Sequence, residues 1–240
     1  MKALLLYFSG TGNTYYIAKI IEENLKSIAD TKIFSIEQIT SNNLPHHDIL
    51  FLGFPVYETD SPFYVQEFMN TLPHVSNKGL FLFITHGGVP GNALWKNFKR
   101  MIAKGYTPLG YLEIGMMDTG AITFMKKNSP IVKYVKNRDY TRLKKVSVFI
   151  EKVKTILSNS KYSDAVIKHS IAVPFDIISF MLDWLWKLIY KVWGARLKKL
   201  FWVDDKCTLC ELCTKLCPVN NISIKNNKIV FNTKCFLCFR

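Results

Sequence analysis

The 240-residue sequence predicts an α/β fold: a doubly wound, parallel five-stranded sheet, then a helical segment and a small α+β domain. Three observations lead there. Short apolar runs alternate with helically periodic stretches as far as about residue 115, the pattern of a parallel sheet covered by helices. A strongly apolar stretch, Phe175–Lys199, breaks that pattern. All six cysteines fall after residue 206. The expected division is residues 1–158, 159–200 and 201–240.

The first strand is the apolar run Ala3-Leu4-Leu5-Leu6-Tyr7-Phe8. It breaks into Ser9-Gly10-Thr11-Gly12-Asn13-Thr14 and then into a helical pattern. This arrangement builds an anion site. Glycines let the backbone approach closely. The hydroxyls of Ser9, Thr11 and Thr14 donate, and the first N–H groups of the helix face the same point with the dipole behind them. The loop holds no lysine or arginine, so the donors are neutral. No Gly-Lys-Ser/Thr follows, which excludes a Walker A loop.

The rest of the first domain follows in order. Residues 13–29 carry apolar side chains at helical spacing (Ile17, Ile20, Ile21, Leu25, Ile28), with Asn13 or Thr14 as the expected cap. Thr31–Ile36 is a second strand and Asp48–Gly53 a third. Ser61-Pro62 starts a helix that runs to about Asn70, with serine as cap and proline in the first position. Gly79–Thr85 is a fourth strand. Asn92–Lys104 is a helix closed by Gly105. A fifth strand lies within Tyr106–Gly115. Asp139–Leu157 is a basic helix, and residues 158–174 read as a linker.

The net charge of +14 is unevenly spread. Residues 1–120 carry 9 Lys/Arg against 10 Asp/Glu, residues 121–200 carry 17 against 5, and residues 201–240 carry 6 against 3. The basicity therefore belongs to the middle of the chain. Basic clusters suit acidic proteins, anionic lipid or nucleic acid. No nucleic-acid motif accompanies this one, so nucleic acid is not an expected partner. Within Phe175–Lys199, Asp176, Ser179, Asp183, Lys187 and Lys191 form one narrow polar stripe, and Asp183 and Lys187 are spaced to pair. Those charges argue against a spanning helix. Two readings stay open: a helix wedged between domains with most of its surface buried, or an in-plane membrane helix with peripheral contact to anionic lipid.

Cys207-x2-Cys210-x2-Cys213-x3-Cys217-Pro218 has the spacing of bacterial ferredoxins. Three closely placed thiolates reach different irons of one cubane, while the fourth points to a second, and soft thiolates suit Fe–S chemistry. Residues 222–231 read as a short hairpin. A second motif opens at Cys235-x2-Cys238 and runs out at Arg240. A truncated or split reading frame explains that, as does a cluster with an external ligand. Zinc held by Cys207, Cys210, Cys235 and Cys238 is a further alternative. Cysteines at ligand spacing, with no secretory signal in the first residues, point to a reducing cytoplasm, with membrane association left open.

Ser-x-Thr-Gly-Asn-Thr after a first strand resembles the flavodoxin family's loop for the FMN phosphate. Together with the cysteine segment, the chain resembles the flavodoxin–ferredoxin fusion family. The resemblance implies a flavodoxin-like sheet with FMN at the carboxyl ends of the strands, and a ferredoxin-like domain with 4Fe-4S clusters, two in the family's full pattern. It implies phosphate contacts from Ser9, Gly10, Thr11, Gly12, Asn13 and Thr14. Ring contacts are implied from Pro55, Val56 and Tyr57 after the third strand and from Thr85, His86, Gly87 and Gly88 after the fourth. Tyr57 would stack on the isoalloxazine. His86 is either a solvated loop residue or a hydrogen-bond partner of the reduced ring. In the family pattern Cys207, Cys210 and Cys213 hold one cluster, and Cys217, Cys235 and Cys238 the other. His46, His47, His74 and His169 read as surface residues.

The function implied is an electron carrier that relays electrons between FMN, clusters and redox partner proteins, with the basic middle segment docking acidic ones. The alternative is a flavin oxidoreductase acting on NAD(P)H, a quinone or another small acceptor. Gly-x-Gly-x-x-Gly is absent, which favours the carrier. A weaker alternative is that the tail binds no cluster and the first domain works alone. Nothing in the sequence sets an oligomeric state.

Overall fold

The computed structural model describes residues 1–137, 143–158, 175–181, 183–185 and 201–240. Five strands form one parallel sheet: β1 (Lys2–Tyr7), β2 (Asp30–Ser35), β3 (Ile49–Pro55), β4 (Lys78–His86) and β5 (Tyr106–Gly115). Their spatial order is β2-β1-β3-β4-β5, with β1 paired to both β2 and β3. The helices are α1 (Asn13–Leu25), α2 (Phe63–Thr71), α3 (Ala93–Ile102), α4 (Thr119–Phe124), α5 (Pro130–Asn137) and α6 (Lys144–Ser158).

Side chains alternate across a strand with period two, and the apolar runs split accordingly. Leu5, Phe51, Phe81 and Phe83 pack on one face with Ile17 and Ile21 of α1 and Val146, Phe149, Ile150 and Val153 of α6. Leu4, Leu6, Phe8, Leu52, Phe54, Leu82 and Ile84 pack on the other face with Val65 and Met69 of α2 and Phe98 and Met101 of α3. The strands are apolar on both sides because helices cover both. Phe51 stacks on Phe81 at 4.8 Å, and Phe149 meets Phe81 edge-on at 5.8 Å. Each fully buried side chain of this size contributes about 1.5–3 kcal/mol of transfer free energy.

Several element ends differ from the sequence reading. The cap of α1 is Gly12, not Asn13 or Thr14, because both side chains are engaged elsewhere in the site. Ser61 does not cap α2. Its hydroxyl donates to Asn97 Oδ1 at 2.7 Å on α3. The helices α4 and α5 have no counterpart in the sequence reading. The basic helix begins at Lys144 and extends through Ser158. Residues 138–142, His169 and the rest of the expected linker lie outside the described residues. His47 is not a surface residue. It is 3% exposed, with Nδ1 2.8 Å from the Pro45 carbonyl and Nε2 3.2 Å from the Tyr106 hydroxyl.

The carboxy-terminal region holds a short helix, α7 (Leu212–Leu216), and an antiparallel hairpin of β6 (Ile222–Lys225) and β7 (Lys228–Phe231). Asn226 and Asn227 both take positive φ, 50° and 55°, as a tight two-residue hairpin turn requires. In the middle segment, residues 177–181 and 183–185 are helical. Asp176 caps this helix: its carboxylate accepts the N–H groups of Ile178 at 3.0 Å and Ser179 at 3.2 Å. The Ser179 hydroxyl and these N–H groups hold the Asp176 carboxyl below its usual range. Among the described residues, no helix is long and apolar enough to cross a membrane.

Candidate cofactor site

The loops after β1, β3 and β4 meet at the carboxyl ends of the strands, where β1 lies between β2 and β3 and the chain direction across the sheet reverses. They line a cleft of about 110 Å³ that is half open to solvent. Ser9, Gly10, Thr11, Asn13, Thr14, Pro55, Val56, Tyr57, Thr85, His86 and Gly87 all border it. Gly12 and Gly88 do not.

Each loop residue has a local reason for its position. Gly12 sits at φ 99°, a left-handed conformation costly for other residues. It turns the chain into α1 while its N–H donates to Ser9 Oγ at 3.1 Å. The first N–H groups of α1 have no intrahelical acceptor, so they are available to an anion in the cleft. Thr85 and His86 are the last residues of β4 rather than part of the loop after it. Thr14 is 1% exposed, and its hydroxyl is 2.8 Å from that of Thr85, which joins the start of α1 to the end of β4. Asn13 Nδ2 donates to the Met117 carbonyl at 3.0 Å.

That last contact brings in a fourth loop, after β5. Met117, Asp118, Thr119 and Gly120 complete the cleft. Sequence reasoning stopped at three loops. The signal was there, since this loop too leaves the carboxyl end of a strand. Gly87 lies against it: a Cβ there would sit 2.4 Å from Asp118 Cβ. His86 is not a free loop residue. Nδ1 donates to the Gly88 carbonyl at 2.5 Å, and Nε2 is 3.6 Å from Glu113 Oε1. The interaction with His86 holds the Glu113 carboxyl below its usual range.

The end of the chain closes one side of the cleft. Phe239 borders it. Tyr57 donates from its hydroxyl to the Cys238 carbonyl at 3.4 Å, and burial pushes its phenol well above the ordinary range. Phe236 stacks on Tyr64 at 6.2 Å and packs against Phe8 at 5.7 Å. Arg240 reaches the Ser9 carbonyl at 2.7 Å and pairs with Glu37. These long-range contacts had no signature in the local sequence.

Cys207, Cys210 and Cys213 are exposed, and Cys217, Cys235 and Cys238 half-buried. Leu209, Glu211 and Leu237, which lie between or beside them, take positive φ. Successive turns of this kind aim backbone N–H groups into a concavity that suits a negatively charged centre. Accordingly Cys217 Sγ accepts the Asn221 N–H at 3.1 Å and Cys235 Sγ the Leu237 N–H at 3.4 Å. A backbone hydrogen bond from Leu212 pulls the Cys210 thiol down, while burial pushes the Cys238 thiol up. Soft thiolate donors with N–H support fit an iron–sulfur cluster. Among the described residues, no three His, Cys, Asp or Glu side chains converge on a single-ion site.

The family model described as "Flavodoxin domain" matches residues 4–155, and that described as "4Fe-4S binding domain" matches residues 200–223. No curated protein matches the chain. Among solved structures, a flavodoxin from the domain Archaea is 22% identical over 57% of this chain and 99% of its own, with a TM-score of 0.43. The two-electron reduced flavodoxin of Megasphaera elsdenii is 26% identical over 55% of this chain and 94% of its own, with a TM-score of 0.44. The rubredoxin oxygen:oxidoreductase of Desulfovibrio gigas is 13% identical over 70% of this chain and 37% of its own, with a TM-score of 0.48. The first match spans well over half of the sequence. The chain therefore belongs to the flavodoxin domain family and joins that domain to a 4Fe-4S binding domain, with FMN and 4Fe-4S as its cofactors and electron transfer as its role.

Proposed function

We propose that this protein relays electrons within one chain, between FMN in the cleft and the cysteine-held clusters, and passes them to redox partner proteins. The observation that carries this reading is the hydrogen bond from the Tyr57 hydroxyl, at the cleft, to the carbonyl of Cys238. It joins the flavin-side wall to a cysteine of the cluster segment with no intervening element. When bound, FMN exchanges one or two electrons and each cluster one, so a two-electron donor can serve a one-electron acceptor.

The chain's own residues have defined parts in this scheme. Ser9, Gly10, Thr11, Asn13 and Thr14 hold the phosphate with hydroxyl and backbone donors, and Gly12 turns the chain into α1. Pro55, Val56, Tyr57, Thr85, His86, Gly87 and Gly88 bound or support the ring region. The Glu113–His86–Gly88 chain fixes the imidazole at the cleft wall. Cys217, Cys235 and Cys238 form the cluster end nearer the cleft. Exposed Cys207, Cys210 and Cys213 form the end that meets an acidic partner. We assign the protein to the reducing cytoplasm, because its six cysteines fall at cluster-ligand spacing rather than as a disulfide framework, and to a membrane surface within it.

The test is anaerobic. Protein loaded with both cofactors is reduced by a one-electron donor while flavin and cluster absorbance are followed separately. Exchange between the two at a rate independent of protein concentration supports the intramolecular relay. A rate that rises with protein concentration overturns it. Rapid turnover of NADH with a dye and no added protein would instead favour a flavin oxidoreductase.

A further inference from the structure

The helix seen at residues 177–181 and 183–185 is turned inside out. In an ordinary surface helix the apolar face packs on the core and the polar face meets water. Here Ser179 and Asp183, on the polar stripe, are 6% and 4% exposed. Asp183 is paired with Lys96 Nζ of α3 and accepts from the Thr59 hydroxyl. Two turns earlier, Asn92 Nδ2 donates to the Asp176 carbonyl at 2.9 Å, and the Asp176 N–H donates to Asn92 Oδ1 at 3.0 Å. These contacts fix the rotation of the helix on the flavodoxin domain. The opposite face carries Ile177, Ile178, Phe180, Met181, Trp184 and Leu185, each between 46% and 69% exposed. In the described residues, then, the apolar side chains are not wedged between domains. Asp183 pairs with Lys96, and the expected pairing with Lys187 lies outside the described residues.

We propose that this outward face seats on an anionic lipid surface. The inference assigns residues to the membrane contact proposed above and is independent of the electron relay. Two arguments favour lipid over a protein. The first is charge: residues 121–200 carry 17 basic against 5 acidic residues, and the segment continues with Lys187, Lys191, Arg196, Lys198 and Lys199 among Trp186, Tyr190 and Trp193. Lysine is depleted in protein–protein interfaces, whereas lysine with tryptophan is the composition of interfacial membrane segments. The second is shape. The exposed residues form one convex helical face of large apolar side chains, which suits shallow burial at the headgroup boundary. A buried ion pair behind the helix, instead of an apolar contact, leaves that face free for the lipid.

The test uses the full chain loaded with its cofactors, floated with phosphatidylcholine vesicles with and without phosphatidylglycerol. Binding to the anionic vesicles is expected, with several-fold release at high salt. The Ile178→Glu/Met181→Glu double variant should lose at least ~10-fold in partitioning. Val148→Glu, on α6 and also exposed, should bind as the parent does. An unchanged flavin spectrum confirms that the double variant is folded. No vesicle binding by the parent overturns the membrane assignment as a whole. Binding that is indifferent to the double substitution overturns the face named here while leaving that assignment standing. Self-association in sedimentation without lipid, abolished by the double variant, makes the face a contact between copies and also overturns the proposal. The relay is measured separately, so its outcome touches neither result.

Discussion

Arg240 and Glu37 form a two-pronged ion pair, Nη1 to Oε1 at 2.7 Å and Nη2 to Oε2 at 2.8 Å. The same guanidinium donates to the Ser9 carbonyl and lies over the Phe8 ring at 5.7 Å. One side chain thus ties the cysteine-bearing tail to the strand that enters the phosphate loop. Paired, planar geometry of this kind is stronger than an ordinary surface pair, yet both side chains remain partly exposed. Glu37→Gln should weaken tail docking by about 1 kcal/mol, or roughly 5-fold in its opening equilibrium. Hydrogen exchange of the amides at 236–240 measures it, and the sheet amides should not change.

Gly10→Ala tests the closeness of loop and tail. A Cβ at Gly10 would lie 2.3 Å from the Cys238 carbonyl oxygen and 2.7 Å from the Tyr57 hydroxyl. The first atom belongs to backbone, so one of the two segments must move. The expected result is faster exchange at 236–240 together with FMN affinity reduced by about 10-fold or more, as a donor loop loses its geometry. Unaltered exchange and affinity would mean that the two segments do not touch in solution.

Thr14→Val separates a hydroxyl from its shape. The residue is 1% exposed and bonded to the Thr85 hydroxyl. The substitution leaves the Thr85 hydroxyl without this partner, which costs about 1–3 kcal/mol in a buried site. The urea midpoint without FMN reports that loss. Titration with FMN should show a further drop in affinity if this hydroxyl holds the phosphate as proposed, since Thr14 borders the cleft. A restored midpoint in Thr14→Val/Thr85→Val would identify the lost pair as the cause.

His47 predicts a pH dependence unrelated to the cofactors. Burial lowers its pKa in the folded state, so the imidazole stays neutral between Pro45 and Tyr106. In the unfolded chain it titrates near about 6.5. Below that pH the unfolded state binds a proton that the folded state refuses, and stability falls as pH falls. Above it neither state is protonated and the contribution is flat. His47→Gln should remove this part of the slope between about pH 7 and 5. Urea midpoints of parent and variant across that window give the comparison. Identical slopes would rule the residue out as the source.

The parts of this molecule that were legible in the sequence are those written in a local pattern. The alternation in Leu4-Leu5-Leu6, Leu50-Phe51-Leu52 and Phe81-Leu82-Phe83 is enough to place a buried strand with helices on both sides. Ser9–Thr14 is legible because one short loop combines hydroxyls, glycines and a helix start. What was missed depends on distant partners. Ser61 looks like a cap until Asn97 of α3 is beside it, and His47 looks exposed until Tyr106 covers it. The stripe of Asp176, Ser179 and Asp183 could be read from its spacing. Which way it faced was decided by Asn92, Lys96 and Thr59, and no periodicity within the helix carries that information. The loop at 117–120 was missed because its helix is short and its residues carry no motif.

The packing of Phe236 on Phe8 joins the two ends of the sequence. On the ribosome, the sheet and its helices can assemble while the cysteine segment is still being made, since strands β1 to β5 lie within the first 115 residues. The seat for Phe236 between Phe8 and Tyr64 then exists before its occupant does. Synthesis therefore sets an order of assembly: the loops that line the cleft are in place before Phe239 comes to border it.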